Sequence, residues 1–236
     1  MSEESEYKSL INLPRDDMYV GFLDILGFGN KVITEFDNIL NAYDSVLKNI
    51  SNLKEKNPSL SMRIYSDSIL LTSSNLVDII RSVNILCMIT LFEDCLIRGG
   101  IAYGKHVESS DSGNLYVVSQ ALVKAVNLEK TIKHPCVAID DNIDIPINWW
   151  GPNLRNFQRL ILYFRGIRLV NPFNLLWGNS AMTRVAMMLG DNPEHDDKYK
   201  WFLDLYDSVV NDTPMVPENI LNNIEYIRST MIINAS

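Results

Sequence analysis

Two aspartates in this chain stand at the ends of strand-like apolar runs. Asp24 lies in Phe22-Leu23-Asp24-Ile25-Leu26-Gly27-Phe28, and Asp67 follows about forty residues later in Tyr65-Ser66-Asp67-Ser68. An unpaired charge in such a place is costly to bury, so each carboxylate needs a reason to be there. The spacing is the one required to bring two carboxylates together at the edge of one sheet. Paired there, they hold hard divalent cations, and two metals ~3.5–4 Å apart assist in-line attack at phosphorus. Magnesium suits such a site because it binds through one or two carboxylates plus substrate phosphates. The pair therefore points to chemistry on a nucleoside triphosphate. The ordinary alternatives are a helix N-cap for Asp24 and plain hairpin chemistry for Ser66-Asp67-Ser68.

Two further stretches carry polar groups with a plausible task. Arg98-Gly99-Gly100-Ile101-Ala102-Tyr103-Gly104 places two glycines inside a strand, which weakens it unless a ligand or another backbone approaches closely. Gln120-Ala121-Leu122-Val123-Lys124 sets an amide and an ammonium four residues apart on one helical face. Such a pair can orient a ribose and neutralise developing phosphate charge, or simply form an exposed polar face. His106, His134 and His195 share no ligand spacing, and Trp149-Trp150 reads first as a core or interface anchor. The chain has no Walker-type loop, dinucleotide fingerprint or Gly-x-Ser-x-Gly elbow.

The elements that must position these residues follow from hydrophobic periodicity. Tyr19–Ile25 reads as a buried strand, and Lys31 to Lys54 as one long amphipathic helix ended by Asn57-Pro58-Ser59. Leu60–Tyr65 and Ile69–Ser73 form a hairpin around Ser66-Asp67-Ser68. A helix from Leu76 to about Phe92, a strand over Leu96–Tyr103, a helix from Val117 to Lys133 and a strand over Pro135–Ile139 complete the order β-α-β-β-α-β-α-β. This is the α+β, ferredoxin-like split βαβ arrangement with an added helix–strand pair. The organisation expected is an N-terminal tail over 1–16, a catalytic domain over 17–142 and a mainly helical extension over 143–236, packed on the core or on a dimer interface. Within that extension, Leu160–Tyr163 and Ile167–Val170 predict a hairpin turning at Arg165-Gly166. Helices are predicted over Leu176–Leu189, His195–Val210 and Pro217–Ile232.

Composition narrows the function classes. The 236 residues are 47% hydrophobic and 21% charged, an ordinary globular balance, and the formal charge is −8. An acidic chain is poorly suited to wrapping nucleic acid, whose affinity comes largely from Lys and Arg on phosphates. It remains compatible with a triphosphate, because bound metals supply local positive charge. The acidic start Met1-Ser-Glu-Glu-Ser-Glu has no signal-peptide character, and no run approaches the ~20 apolar residues of a membrane span. Cys87, Cys95 and Cys136 show no metal spacing and read as buried small hydrophobes. The expected location is the cytoplasm, with neither membrane nor nucleic acid as a partner.

Together these motifs resemble class III nucleotidyl cyclases over about Asp17 to Asp140. The spellings Leu-Asp-Ile-Leu-Gly-Phe, Tyr-Ser-Asp-Ser and Arg-Gly-Gly-Ile-Ala-Tyr-Gly are most similar to the pyrimidine cyclases of bacterial Pycsar anti-phage defence. The resemblance implies conversion of UTP or CTP to a 3′,5′-cyclic monophosphate and pyrophosphate, the product being a second messenger in defence. It implies that Asp24, Asp67 and the backbone carbonyl of Ile25 ligate two Mg²⁺ or Mn²⁺. It further implies a head-to-tail homodimer in which Gln120 and Lys124 serve the partner subunit's metals. Substrate-binding roles fall to Phe28, Arg63, Tyr65, Arg98 and, if the register of the transition-state helix shifts, Asn114 or Ser119. Arg63 stands where relatives place a purine-reading residue and offers donors to a pyrimidine carbonyl. Two departures stand out: Gln120 and Lys124 replace the family's asparagine and arginine, and the last third of the chain has no counterpart in the family. The alternatives are an adenylate or guanylate cyclase of the same class, another two-aspartate enzyme such as a diguanylate cyclase, or a non-catalytic nucleotide sensor.

Overall fold

Strand β1 (Asp16–Ile25) is the axis of the sheet, and its sequence explains why: Val20 and Leu23 point to opposite faces and both are fully buried. A computed structural model describes residues 10–56, 59–111, 114–150, 154–173, 177–190 and 193–222. Antiparallel to β1 on one side runs β3 (Ser68–Ser73), itself paired with β2 (Ser61–Tyr65). On the other side runs β4 (Ile97–Asp111), which folds back through β5 (Asn114–Ser119). The order β2-β3-β1-β4, all antiparallel, is the ferredoxin-like arrangement. β6 (Val137–Ile139) adds in parallel to β4, and the hairpin β7 (Ile161–Phe164) and β8 (Ile167–Val170) continues the same sheet through Ala138 and Leu169.

Helices α1 (Phe28–Thr34), α2 (Phe36–Lys56) and α3 (Leu76–Phe92) connect the first strands. α2 and α3 cover one face, where Ile39, Val46, Ile79, Ile80 and Val83 meet Leu23, Ile25, Ile69 and Leu71. α4 (Gln120–Thr131) lies on the opposite face, where Ala121 packs with Val20 and Leu70. A second cluster joins α5 (Gly178–Met188) and α6 (Asp196–Val210) to Leu26, Leu91 and Leu96, so these helices pack on the core. Among the described residues no helix is long and apolar enough to cross a membrane.

The structure corrects the sequence reading in three places. The expected helix over Lys31 to Lys54 is two helices that meet at Glu35, and the first begins at Phe28 because Gly27 adopts φ 77° and turns the chain out of β1. The helix expected from Val117 begins at Gln120. Residues 114–119 are strand instead: β-branched Val117 and Val118 pair with β4, and the Ser119 hydroxyl accepts from Leu122 N at 3.0 Å as the N-cap. For the same reason β4 runs on to Asp111 instead of ending near Tyr103. The final helix is seen over 218–222; its remainder, like the stop at Asn57-Pro58, lies outside the described residues.

The glycine pair in β4 serves packing. A Cβ on Gly100 would stand 2.4 Å from the carbonyl oxygen of Ala125 in α4, and one on Gly99 would stand 2.4 Å from the Phe22 carbonyl oxygen. Gly100→Ala must therefore displace α4, and we expect a loss of about 1–3 kcal/mol, the usual cost of overpacking. Gly29, with nothing within 4 Å of a Cβ, should tolerate alanine without loss. Urea unfolding of the two variants checks the contrast.

Candidate active site

The register of β1 determines what surrounds Asp24. It lies directly opposite Ser68 on β3 and Arg98 on β4, and residues directly opposite share a face of the sheet. Arg98 Nε donates to Asp24 Oδ2 at 2.8 Å, and it also stands 2.8 Å from Glu129 Oε1 on α4. Asp24 is largely covered, and the Glu129 side chain is 7% exposed. The Nε hydrogen bond goes to Asp24, and Glu129 Oε1, buried and without a hydrogen bond of its own, is held to the same guanidinium by charge.

Asp67 reaches the same corner through the backbone. The β2–β3 hairpin turns on the two residues Ser66 and Asp67, with Ser66 at φ 54°. Past the last ladder pair, Ile25 N donates to the Asp67 carbonyl oxygen at 3.0 Å, which ties the turn to the end of β1. Asp67 is therefore a ladder neighbour of Asp24 and Ile25. Among the described residues its carboxylate has no hydrogen-bond or ion-pair partner. Its charge is felt by Tyr43 of α2, whose phenol pKa is raised by burial first and by Asp67 second.

The oxygens that this end of the sheet offers, those of the Asp24 and Asp67 carboxylates and of the Ile25 backbone, are hard donors of the kind that Mg²⁺ or Mn²⁺ takes. No cluster of three or more His, Cys, Asp or Glu side chains suited to a metal occurs among the described residues. A bound cation would thus draw its remaining ligands from backbone, water and substrate.

The other sequence candidates fall into separate places. Phe28, the first residue of α1, is buried with its ring centroid 5.9 Å from that of Tyr43, beneath the corner. Tyr65 ends β2 next to the turn and is 51% exposed. Arg63 donates to Glu108 at 2.8 Å, leaving further guanidinium donors. Asn114 opens β5, and its side chain lies outside the described residues. Gln120 and Lys124 are exposed on α4, where Lys124 Nζ donates to the Tyr103 carbonyl at 3.1 Å. Tyr103 pairs with Tyr19, five residues along β1 from Asp24, or about 17 Å at ~3.4 Å per residue. Within one chain, then, Asp24 and the Asp67 backbone lie side by side at one end of the sheet, while the amide–ammonium pair sits at the far end of the same strands.

The C-terminal helices brace the corner from behind. Arg184 of α5 pairs with Asp94 at 2.7 Å, and Lys31 of α1 donates to the Asp94 carbonyl at 3.1 Å. The His195 imidazole lies against Gly27, with Nε2 3.8 Å from where a Cβ would stand. His134 stacks on Trp201 and Trp150 is in the core, so neither forms part of the corner.

Sequence reading missed three charged or polar participants: Glu129, Glu108 and Tyr43. A signal existed for Glu129. Ala121, Ala125 and Glu129 recur every four residues and so share a helix face, and that face is buried. A carboxylate on a buried small-residue stripe demands a cationic partner. Nothing local marks Glu108 or Tyr43.

No protein-family model matches the chain, and no curated protein matches it. Among solved structures, the adenylyl cyclase CyaB from P. aeruginosa is 15% identical, over 54% of this chain and 78% of its own, with a TM-score of 0.45. The guanylyl cyclase Cya2 is 12% identical, over 70% of this chain and 96% of its own, with a TM-score of 0.45. A class III adenylyl cyclase-like ATP-binding protein from Pseudomonas aeruginosa is 11% identical, over 78% and 44%, with the same score.

The cysteines stand apart from this chemistry. Burial pushes the Cys87 thiol up to about 12 and raises those of Cys95 and Cys136 as well. Thiolate is the reactive form. Native protein at pH 8 should therefore leave all three unmodified by a disulfide reagent, while unfolded protein should yield three thiols; spectrophotometric titration of released thiolate checks this.

Proposed function

We propose that this protein is a metal-dependent nucleotidyl cyclase that closes a pyrimidine nucleoside triphosphate, UTP or CTP, to its 3′,5′-cyclic monophosphate. The observation that carries the reading is the corner itself: Asp24 and Asp67 are ladder neighbours, and the Asp67 carboxylate is free among the described residues. Asp24, Asp67 and the Ile25 carbonyl would hold Mg²⁺ or Mn²⁺, which supplies Lewis acidity that lowers the pKa of the ribose 3′-hydroxyl and offsets phosphate charge. In the reaction the 3′ oxygen bonds to the α-phosphorus, the bond from that phosphorus to the bridging oxygen breaks, the hydroxyl proton leaves to solvent and pyrophosphate departs.

Gln120 and Lys124 cannot reach Asp24 of their own chain across about 17 Å of strand. A head-to-tail homodimer brings them to a second copy's carboxylates, where the amide orients the ribose and the ammonium stabilises charge developing on the α-phosphate. Tyr65, exposed beside the turn, supplies a ring for base stacking, and the Arg63 donors left over by Glu108 face a pyrimidine carbonyl. Phe28 serves the corner from below by packing on Tyr43. In this reading residues 1–16 form a tail, 17–142 the catalytic domain and 143–236 its brace, and the cyclic nucleotide is a cytoplasmic signal in anti-phage defence.

A second reading has a specific observation in its favour: Arg98 already engages Asp24, as expected of a nucleotide sensor that no longer turns over. An adenylate or guanylate cyclase on the same scaffold is the third. Incubation with each of the four ribonucleoside triphosphates and Mn²⁺, with products resolved by mass, separates them. A cyclic pyrimidine nucleotide is expected. A cyclic purine keeps the chemistry and replaces the substrate; no product from any triphosphate leaves the sensor.

Asp24→Ala and Asp67→Ala should each abolish turnover and leave the circular dichroism spectrum unchanged. Retained metal-dependent activity in either removes the two-carboxylate assignment. Mixing Asp24→Ala with Lys124→Ala protomers should recover part of the activity, since one of the two shared sites is then intact. Absence of recovery counts against the dimer.

A further inference from the structure

Glu129 has no packing reason to be an acid. Its neighbours on the buried face of α4 are Ala121 and Ala125, and it is 5% exposed. A buried ion pair costs desolvation that well-packed apolar side chains avoid. What Glu129 does instead is electrostatic. Arg98 Nε stands 2.8 Å from Asp24 Oδ2 and 2.8 Å from Glu129 Oε1, so a single positive charge faces two carboxylates. Facing Asp24 alone, Arg98 would neutralise it. Two carboxylates against one guanidinium leave a formal charge of −1 around Arg98.

We propose that Glu129 is a positioning residue for the metal corner: by taking a share of Arg98, it keeps the Asp24 carboxylate available to a divalent cation. The inference rests on reading Asp24 and Asp67 as metal ligands. It reassigns Arg98 from substrate contact to competitor for Asp24. It also gives α4 two duties, because the helix that presents Gln120 and Lys124 at one end controls the charge on Asp24 at the other.

Glu129→Gln keeps shape and removes one negative charge, so Arg98 falls wholly to Asp24 and cation binding weakens. Arg98→Gln removes the competitor and tightens binding. With both changed, neither competitor nor lure remains, and binding returns towards wild type.

The test is Mn²⁺ binding to the full chain without nucleotide, by calorimetry, with thermal unfolding of each variant run alongside. Glu129→Gln should weaken Mn²⁺ binding on the order of tenfold, the scale of other groups just outside a metal's ligands. Arg98→Gln should bind at least as tightly as wild type, and the double variant should recover most of the loss. A merely structural role makes the double variant weaker than Glu129→Gln, and that result overturns the proposal. So does unchanged binding in Glu129→Gln while Asp24→Ala loses it, an outcome that leaves the metal reading standing. Wild type that binds no Mn²⁺ overturns the metal reading and this inference together. If Glu129→Gln fails to fold, Arg98→Gln alone decides: weaker binding than wild type refutes the competitor role.

Discussion

The close approach of α4 to the sheet is the constraint on which the rest of this structure depends. At Gly100 the helix backbone comes so near that a single methyl group would stand 2.4 Å from the Ala125 carbonyl. That contact sets the height of the helix above β4. At this height Glu129 reaches Arg98, and Lys124 reaches the Tyr103 carbonyl at the other end. A helix held farther out, as any side chain at position 100 would require, would leave Arg98 to Asp24 alone.

The corner shows how little covalent machinery a site of this kind needs. Backbone pairing does most of the positioning: ladder register sets Asp24 opposite Arg98, and one hydrogen bond from Ile25 to the Asp67 carbonyl ties the β2–β3 turn to the end of β1. Side-chain packing then makes the corner rigid, with Phe28 and Tyr43 beneath it. The C-terminal helices add to this through Arg184, Asp94 and Lys31 and through His195 against Gly27. The last third of the chain thus buttresses the loop that follows β1, and its hairpin extends the same sheet.

Charge at the corner is balanced to remain incomplete. Elsewhere in the described residues, arginines pair with acids in ordinary fashion, as Arg165 does with Asp204 and Arg63 with Glu108. Around Arg98, two carboxylates stand 2.8 Å from one guanidinium nitrogen. The Arg98 and Asp24 side chains remain partly exposed, so solvent screens part of the remaining negative charge.

Much of this was legible in the sequence because it depends on local pattern. The alternation in β1, the Ser66-Asp67 turn, the amphipathic α2 and the β7–β8 turn at Arg165-Gly166 are all short-range properties. So is the pairing of an aspartate with each strand end. Short-range pattern misjudged element boundaries where pairing partners compete with propensity. Residues 117–119 could extend a helix, and they are strand only because β4 runs on to meet them. The glycine pair was visible, but whether a ligand or a helix approached it depended on what packs above, and that is α4. The ties of Arg98 to Glu129 and of Arg63 to Glu108 join residues far apart in sequence, and no spacing rule connects them. The sequence determined which side chains could do chemistry and which elements carry them. Only the tertiary structure decided which of them meet, because register and helix height come from the packing of the whole sheet.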